Sequence, residues 1–557
     1  MSRVDTVIRN AQVLDVFGGA FRFVDVAVED GVIVGFDAED AAHVVDAKGR
    51  YLIPGLIDAH IHAESTQLTP AALARAILPH GTTTLITDPH EIANVWGTEG
   101  IRYLIHAVRG LPLHIHFMAP SCVPASPFGS SGAVLDAEAI REMLSWDGVL
   151  GLGEVMNYPG VVAGDPDLLA KLSAAEGMPI DGHAPGLTGE ALATYVRRGP
   201  STDHECTTLA EAREKLAAGM HILIREGTTA RNLDSLIGLL NEATAPFVHF
   251  CTDDRHAETL VEEGHMDDLM RKAIRHGVSP ATAIASATIH PARHYGLPGV
   301  GAIAPGYRAD LLLVDDLEAF NIDQTWVNGE CVARDGACCV DIVSASATTP
   351  RASMDVRLPE DPFVVAVPED AEVRIIEVQA RQVVTGARID KPSVENGFLV
   401  ADTTRDLLKL VVVERHLGTG NVGIGLVHGF GLQRGALASS VAHDSHNLIA
   451  VGTSDEELLH ALRVLVDSGG GQVVVAEGQV LAHLALPIAG LMSDQSVEEV
   501  AADGRALDAA AKQLSCSLPS PFMTLSFLGL PVIPSLKLTD AGLVDVDRFE
   551  GVPLLVE

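Results

Sequence analysis

The sequence predicts an α/β protein built on a (β/α)8 TIM-like barrel, and three observations carry that expectation. From residue 51 to about 300, short apolar runs alternate with longer stretches of helical period, the pattern of parallel strands joined by crossover helices. Eight such runs can be counted: "LIDAHIH", "TTTLITD", "LHIHFMA", "VLGLGEV", "MPIDGHA", "STDHEC", "HILIREG" and "FVHFCTD". The polar residues collect at the downstream ends of these runs, in "HIH", "DPHE", "GEV", "GHA", "DHE" and "CTDD". A barrel of this kind keeps its active site at that end of its strands.

Each element follows in chain order. Residues 4–50 read as short alternating strands broken by the turn signals "EDG" and "AKG". Every apolar run of the barrel is followed by a helical stretch, the first being "TPAALARAILPHG". After the barrel, "GAIAPGYRADLLLVDD" and "VNGECVARDG" return to short strands and turns. Segments 1–54 and 301–345 are therefore expected to build one small β-sandwich domain around a metal-dependent catalytic barrel of residues 55–300. Residues 350–557 mix strand and helix patterns in "LLKLVVVERH", "EELLHALRVLVDSGG" and "GQVVVAEGQVLA", predicting a further C-terminal α+β domain.

Composition narrows the partners. The 557 residues carry 38 Lys+Arg against 74 Asp+Glu, a net charge of −36. Such a surface repels phosphate backbones and anionic lipid, so nucleic acid polymers and membranes are poor partners while a neutral small molecule is not. A 47% hydrophobic content suits a chain long enough for several cores. Seven scattered cysteines with no CxxC pair point to reduced thiols in a cytoplasmic protein. The N-terminus lacks a signal-type apolar segment, and "VVVAEGQVLAHLALPIAGLM" is interrupted by Glu477 and His483, which argues against a membrane span.

The chemistry begins at His60 and His62. Residues two apart on a strand face the same side, about 6–7 Å apart, and two imidazoles there can grip a metal ion. The HxH pattern alone is weak, because it recurs at His114 and His116. That second pair stands earlier in its strand and reads as packing. Glu154, His183, His204 and Asp253 strengthen the first pair, since each ends a different predicted strand. Four imidazoles and two carboxylates suffice for two divalent ions and a water activated near neutral pH. His62-Ala63-Glu64 matches the H-x-E of one class of zinc deaminases, but its P-C-x-x-C partner is absent.

With these residues placed, "IPGLIDAHIH" and "GAIAPGYRADLLLVDD" resemble the amidohydrolase superfamily over residues 51–315. A closer likeness, to the bacterial adenine deaminases (adenine aminohydrolases), lies in "LPHGTTTLITDPHEIANVWG", "GLGEVMNYPGVVAGD" and "CTDDRH". It continues through "HDSHN", "LPIAGLMSD" and "PFMTLSFLGLPVIPSLKLTDAGLVDV", so it spans nearly the whole chain. Many binuclear relatives carry a carboxylated lysine on the fourth strand. Glu154 stands in "GLGEVMNY" instead, as in the adenine deaminases, and disfavours a hydantoinase or dihydroorotase. "IHPARHYG" departs from the relatives, which usually have Asn where His290 stands.

The resemblance implies hydrolytic deamination of adenine to hypoxanthine and ammonia by a metal-activated hydroxide. His60, His62, His183 and His204 would hold two divalent ions per subunit, Glu154 would bridge them, and Asp253 would act as general base and then acid. Manganese is the first candidate ion, with iron or zinc as alternatives. The partners implied are adenine and water, in a homo-oligomer. Asp88, His90 and Glu91 of "DPHE" would bind substrate or a further metal, or cap the next helix; His443, Asp444 and His446 of "HDSHN" would reach the site from the last region. Asp254 rivals Asp253 as the acid/base. A related enzyme acting on another aminated heterocycle or a cyclic amide, or a non-catalytic binding protein, would share most of these features.

Overall fold

The computed structural model describes residues 3–556 apart from 344, 346, 360, 361, 369 and 381. All eight apolar runs form strands: Leu56–Ile61, Thr82–Thr87, His114–Ala119, Val149–Val155, Ile180–Gly182, Thr202–Asp203, His221–Arg225 and Val248–Cys251. Every residue of the first two is buried, as in parallel strands covered on both faces. The first five pair in sequence order, and the last three form a second parallel ladder.

The two ladders curl toward each other at both seams. At one, Ile61 bridges Asp253, and the Asp253 N–H donates to the His60 carbonyl at 3.0 Å. At the other, the Ser201 N–H donates to the Ile180 carbonyl at 2.8 Å. Side chains complete this second seam: the Gly182 N–H donates to the Thr202 hydroxyl at 3.1 Å and the Ala184 N–H to the Asp203 carboxylate at 2.9 Å. These side-chain acceptors replace ladder bonds, so the fifth and sixth strands are only 3 and 2 residues long, shorter than their apolar runs.

Helices follow the strands. Pro70–Ile77 starts at Thr69, whose hydroxyl accepts from the Ala72 N–H at 3.4 Å, with Pro70 in the first turn, where a missing N–H costs nothing. Its buried side, Leu73, Ala74 and Ile77, faces the core. Leu209–Ala217 begins the same way at Thr208.

The flanks join in one nine-stranded sheet. Within it Tyr51–Pro54 pairs antiparallel with Leu311–Asp316, Pro54 opposite Leu311. The chain therefore enters and leaves the curled sheet through neighbouring strands.

The last region holds a second nine-stranded sheet, mostly antiparallel, running from Glu372–Val378 to Leu555–Val556. Helix Asp455–Asp467 packs on it through Leu458, Ala461, Leu462 and Leu465. Helix Val497–Gln513 opens with a capping box of Ser496 and Glu499, which satisfies two otherwise free N–H groups. This region does not stand apart: one buried apolar cluster includes Ile61, Leu73 and Ile77 together with Leu408, Leu437, Val500 and Phe522. Ion-dipole contacts add to it, with the Ser130 hydroxyl donating to Asp540 at 2.7 Å. Among the described residues no helix is long and apolar enough to cross a membrane.

Lys537 lies within the last region. It is fully buried and donates to the Val383 carbonyl at 2.9 Å. Burial pushes its pKa down to about 7. The unfolded chain keeps that proton to about pH 10.4, so between about pH 7 and 10 the unfolded state binds more protons and stability rises with pH. Lys537→Met is expected to raise the melting midpoint at pH 7, by on the order of 5 °C. The gap should close toward pH 10, as followed by thermal denaturation across the range.

Candidate active site

The site is built from strand ends. His60 belongs to the first strand and His62 follows it, with ring centroids 4.8 Å apart. Glu154 is the penultimate residue of the fourth strand. His183 follows the fifth, His204 the sixth, and Asp253 stands two residues past the eighth. Asp253 has φ 57°, a left-handed conformation that aspartate tolerates better than most residues.

Glu154 gathers the imidazoles. Its Oε1 lies 3.2 Å from His62 Nε2, and its Oε2 lies 2.6 Å from His183 Nδ1 and 3.3 Å from His204 Nε2. Asp253 Oδ1 lies 3.1 Å from His62 Nε2 and 3.5 Å from His60 Nε2. None of the six residues is more than 7% exposed. Burial alone would raise the Glu154 pKa, but the His183 charge and the bonds from His183, His204 and His62 hold it well below the usual carboxylate range. Burial likewise opposes ionisation of Asp253, and the Arg225 guanidinium with His60 and His62 holds its pKa down.

Two overlapping sets, His60, His62 and Glu154, and His60, His204 and Asp253, place their donor atoms within 4.8 Å of one another. His60 Nε2 is buried without a hydrogen-bond partner among the described residues. Imidazole and carboxylate donors converging in a buried site fit a divalent cation. These residues could hold such an ion.

The "DPHE" residues do not cap the following helix. His90–Trp96 starts at Pro89 with no side-chain cap, and Asp88 Oδ2 instead accepts from the Glu154 N–H at 2.8 Å. Gly153 makes room for that contact, since a Cβ there would lie 2.2 Å from Asp88 Oδ2. His90 Nδ1 approaches Glu154 Oε1 at 3.4 Å. Glu91 then links the sheet to the last region: its Oε1 lies 2.7 Å from His443 Nδ1 and its Oε2 is bonded to His446 Nε2. His443 stacks on Phe527 with centroids 4.6 Å apart. Asp444 is buried nearby, and that burial pushes its pKa up to about 6.

Two residues of the site escaped sequence reasoning. Arg225, ending the seventh strand, donates to Asp253 Oδ2 at 2.7 Å and to Glu205 Oε2 at 3.1 Å. Glu205 Oε1 in turn lies 3.3 Å from His204 Nε2. A strand-end position in "HILIREG" and "DHE" was the available signal. Asp254 lines the same cavity and does not cap helix Ala257–Glu263, which starts at His256 without a side-chain cap. His114 and His116 lie at the opposite end of their strand, where His114 Nε2 is 3.4 Å from Asp310. Across the cavity from the polar cluster stands an apolar wall of Met156, Val383, Met523, Phe527, Leu530 and Ile533.

Comparison with known proteins follows this division. Residues 51–332 match the model of the Amidohydrolase family, and residues 382–550 match that of the Adenine deaminase C-terminal domain. An adenine deaminase of Oleidesulfovibrio alaskensis is 48% identical over 557 residues, covering 99% of this chain and 97% of the relative. Adenine deaminases of Desulfatibacillum aliphaticivorans and Methanothrix thermoacetophila are each 46% identical, again over 99% of this chain and 97% of theirs. A solved enamidase aligns with 61% of this chain and 98% of its own at 19% identity, with a TM-score of 0.46.

Arg225 offers a direct test of the electrostatics. Arg225→Met leaves Glu205 and Asp253 buried without their cation, and stability should drop by on the order of 3–5 kcal/mol. Arg225→Lys should recover part of the loss, as read from denaturant midpoints.

Proposed function

This chain belongs to the adenine deaminase family of amidohydrolases, and on that premise we propose that it hydrolyses adenine to hypoxanthine and ammonia at the Glu154 cluster. The observation that carries the reading is Glu154 itself, a buried carboxylate meeting His62, His183 and His204 at four strand ends. Near full-length identity to three adenine deaminases supports the substrate.

We read the curled eight-strand sheet as a closed (β/α)8 barrel whose mouth holds two divalent ions. His60, His62, His183, His204, Asp253 and Glu154 would hold them. Manganese suits this donor set, and so do iron and zinc. A divalent metal bound there makes water acidic enough to act as a nucleophile near neutral pH.

The chain's residues do the rest. Water oxygen adds to C6 of the purine, a C–O bond replaces the C–N bond, and ammonia leaves. Asp253 takes the proton released by water and returns it to the purine nitrogen or the departing amine. Arg225, 2.7 Å from Asp253 Oδ2, orients that carboxylate. The wall of Met156, Phe527, Leu530 and Ile533 covers the face of the base and excludes bulk water. Glu91, held between His443 and His446, fixes the last region over the mouth. The same membership supports a cytoplasmic homo-oligomer acting on the free base, with no nucleic acid polymer or membrane as partner.

Ammonia release from a panel of aminated bases and cyclic amides tests the substrate. Manganese-loaded protein should favour adenine over the rest of the panel. The double variant His60→Ala, His62→Ala should lose bound metal and at least about 10³-fold in turnover. Equal turnover by wild type and double variant would overturn the reading.

A further inference from the structure

We propose that His221, His249 and His294 form a separate binding site for one transition-metal dication of the zinc class, at the end of the curled sheet opposite the Glu154 cluster. The three come from neighbouring elements. His221 opens the seventh strand, His249 is the second residue of the eighth, and His294 closes helix Ile289–His294. Their donor nitrogens lie within 4.8 Å of one another.

The contacts are those of a site rather than of a paired surface cluster. His221 Nδ1 and His249 Nε2 lie 2.9 Å apart, and the rings of His221 and His294 are 4.1 Å apart. His249 is fully buried. Its Nδ1 and the Nε2 of His294 are buried without a hydrogen-bond partner among the described residues. Tetrahedral coordination with zinc–nitrogen bonds of about 2.0–2.1 Å sets ligand nitrogens roughly 3.3 Å apart. The His221–His249 spacing of 2.9 Å lies a few tenths of an ångström inside that value, and the 4.8 Å limit on the trio leaves the His294 ring to close in on the ion. Phe247 and Tyr295 meet the outer two rings edge-on, with centroids 5.3 Å from His221 and 4.7 Å from His294.

The donor set also determines the ion. Burial, with the neighbouring imidazoles, pushes His249 well down and His294 to about 3, and burial lowers His221. All three are therefore neutral at pH 7, and the ion would replace the hydrogen bond that His221 Nδ1 and His249 Nε2 share. The charged or titratable groups beside this cluster include its own members, His290, Arg293 and Tyr295. A site of neutral imidazoles without a carboxylate selects zinc, nickel or copper over manganese. It thus differs in preference from the carboxylate-rich cluster. His221 is four residues upstream of Arg225, about 13 Å along the strand, so this ion is too far to touch substrate. It would clamp the starts of two strands to the helix that follows them.

The test uses the full-length, manganese-loaded protein, incubated with excess zinc and then desalted. Wild type should gain one zinc equivalent, retain its manganese, and melt several degrees higher. His249→Gln and His294→Gln should each fail to gain the zinc and the shift while keeping adenine turnover. If His249→Gln does not fold, His294→Gln decides, since its side chain is only partly buried. Zinc that merely replaces manganese one for one, or uptake in His294→Gln equal to wild type, would overturn the proposal.

Discussion

A buried carboxylate governs this structure. Glu154 is 2% exposed, and taking an ionised carboxylate out of water costs several kcal/mol unless matching charge surrounds it. Three imidazoles meet it, each delivered from the end of a different strand. Each of His62, His183 and His204 stands one residue past its strand, so the strand ends fix where the imidazoles meet. The same requirement repeats one step outward: Asp253 and Glu205 share Arg225, and Glu91 sits between His443 and His446. A chain of buried ionic contacts thus runs from the eighth strand to the last region.

That chain explains why the C-terminal region belongs to the enzyme rather than to its surface. It shares one apolar core with the first strand and helix of the curled sheet, and it contributes both a polar and an apolar part to the cavity. His443 and His446 bind Glu91, while Met523, Phe527, Leu530 and Ile533 wall the cavity. A small planar base needs apolar contact on its faces and few polar groups at its reacting edge. The strand ends of the curled sheet offer most of the polar residues, and the last region offers most of the apolar wall.

Much of this was legible beforehand, for physical reasons. Buried parallel strands leave continuous apolar runs, and strand-end chemistry leaves polar residues just past them, so all eight strands and the grouping of His60, His62, Glu154, His183, His204 and Asp253 could be read. What pattern cannot show is side-chain reach. Arg225 was hidden because an arginine after an apolar run is more often solvated than buried, and only the geometry reveals its two carboxylates. Asp88 read as a substrate or metal ligand or as a helix cap, and it instead turns back to the Glu154 N–H through space left by Gly153. The fifth and sixth strands came out shorter than their runs because Thr202 and Asp203 side chains substitute for ladder bonds at the seam. The His221, His249 and His294 cluster was invisible for the same reason: its members lie far apart in the sequence and carry no spacing signal.

The central claim is that the charge of Glu154 holds both the imidazoles and the metal. Glu154→Gln keeps the shape and removes the charge, so metal content per chain and adenine turnover measured on one preparation test it most directly. The account predicts loss of at least one metal equivalent and a fall in turnover of about 10³-fold or more. A variant that keeps its full metal complement and turns over adenine at close to the wild-type rate would contradict it.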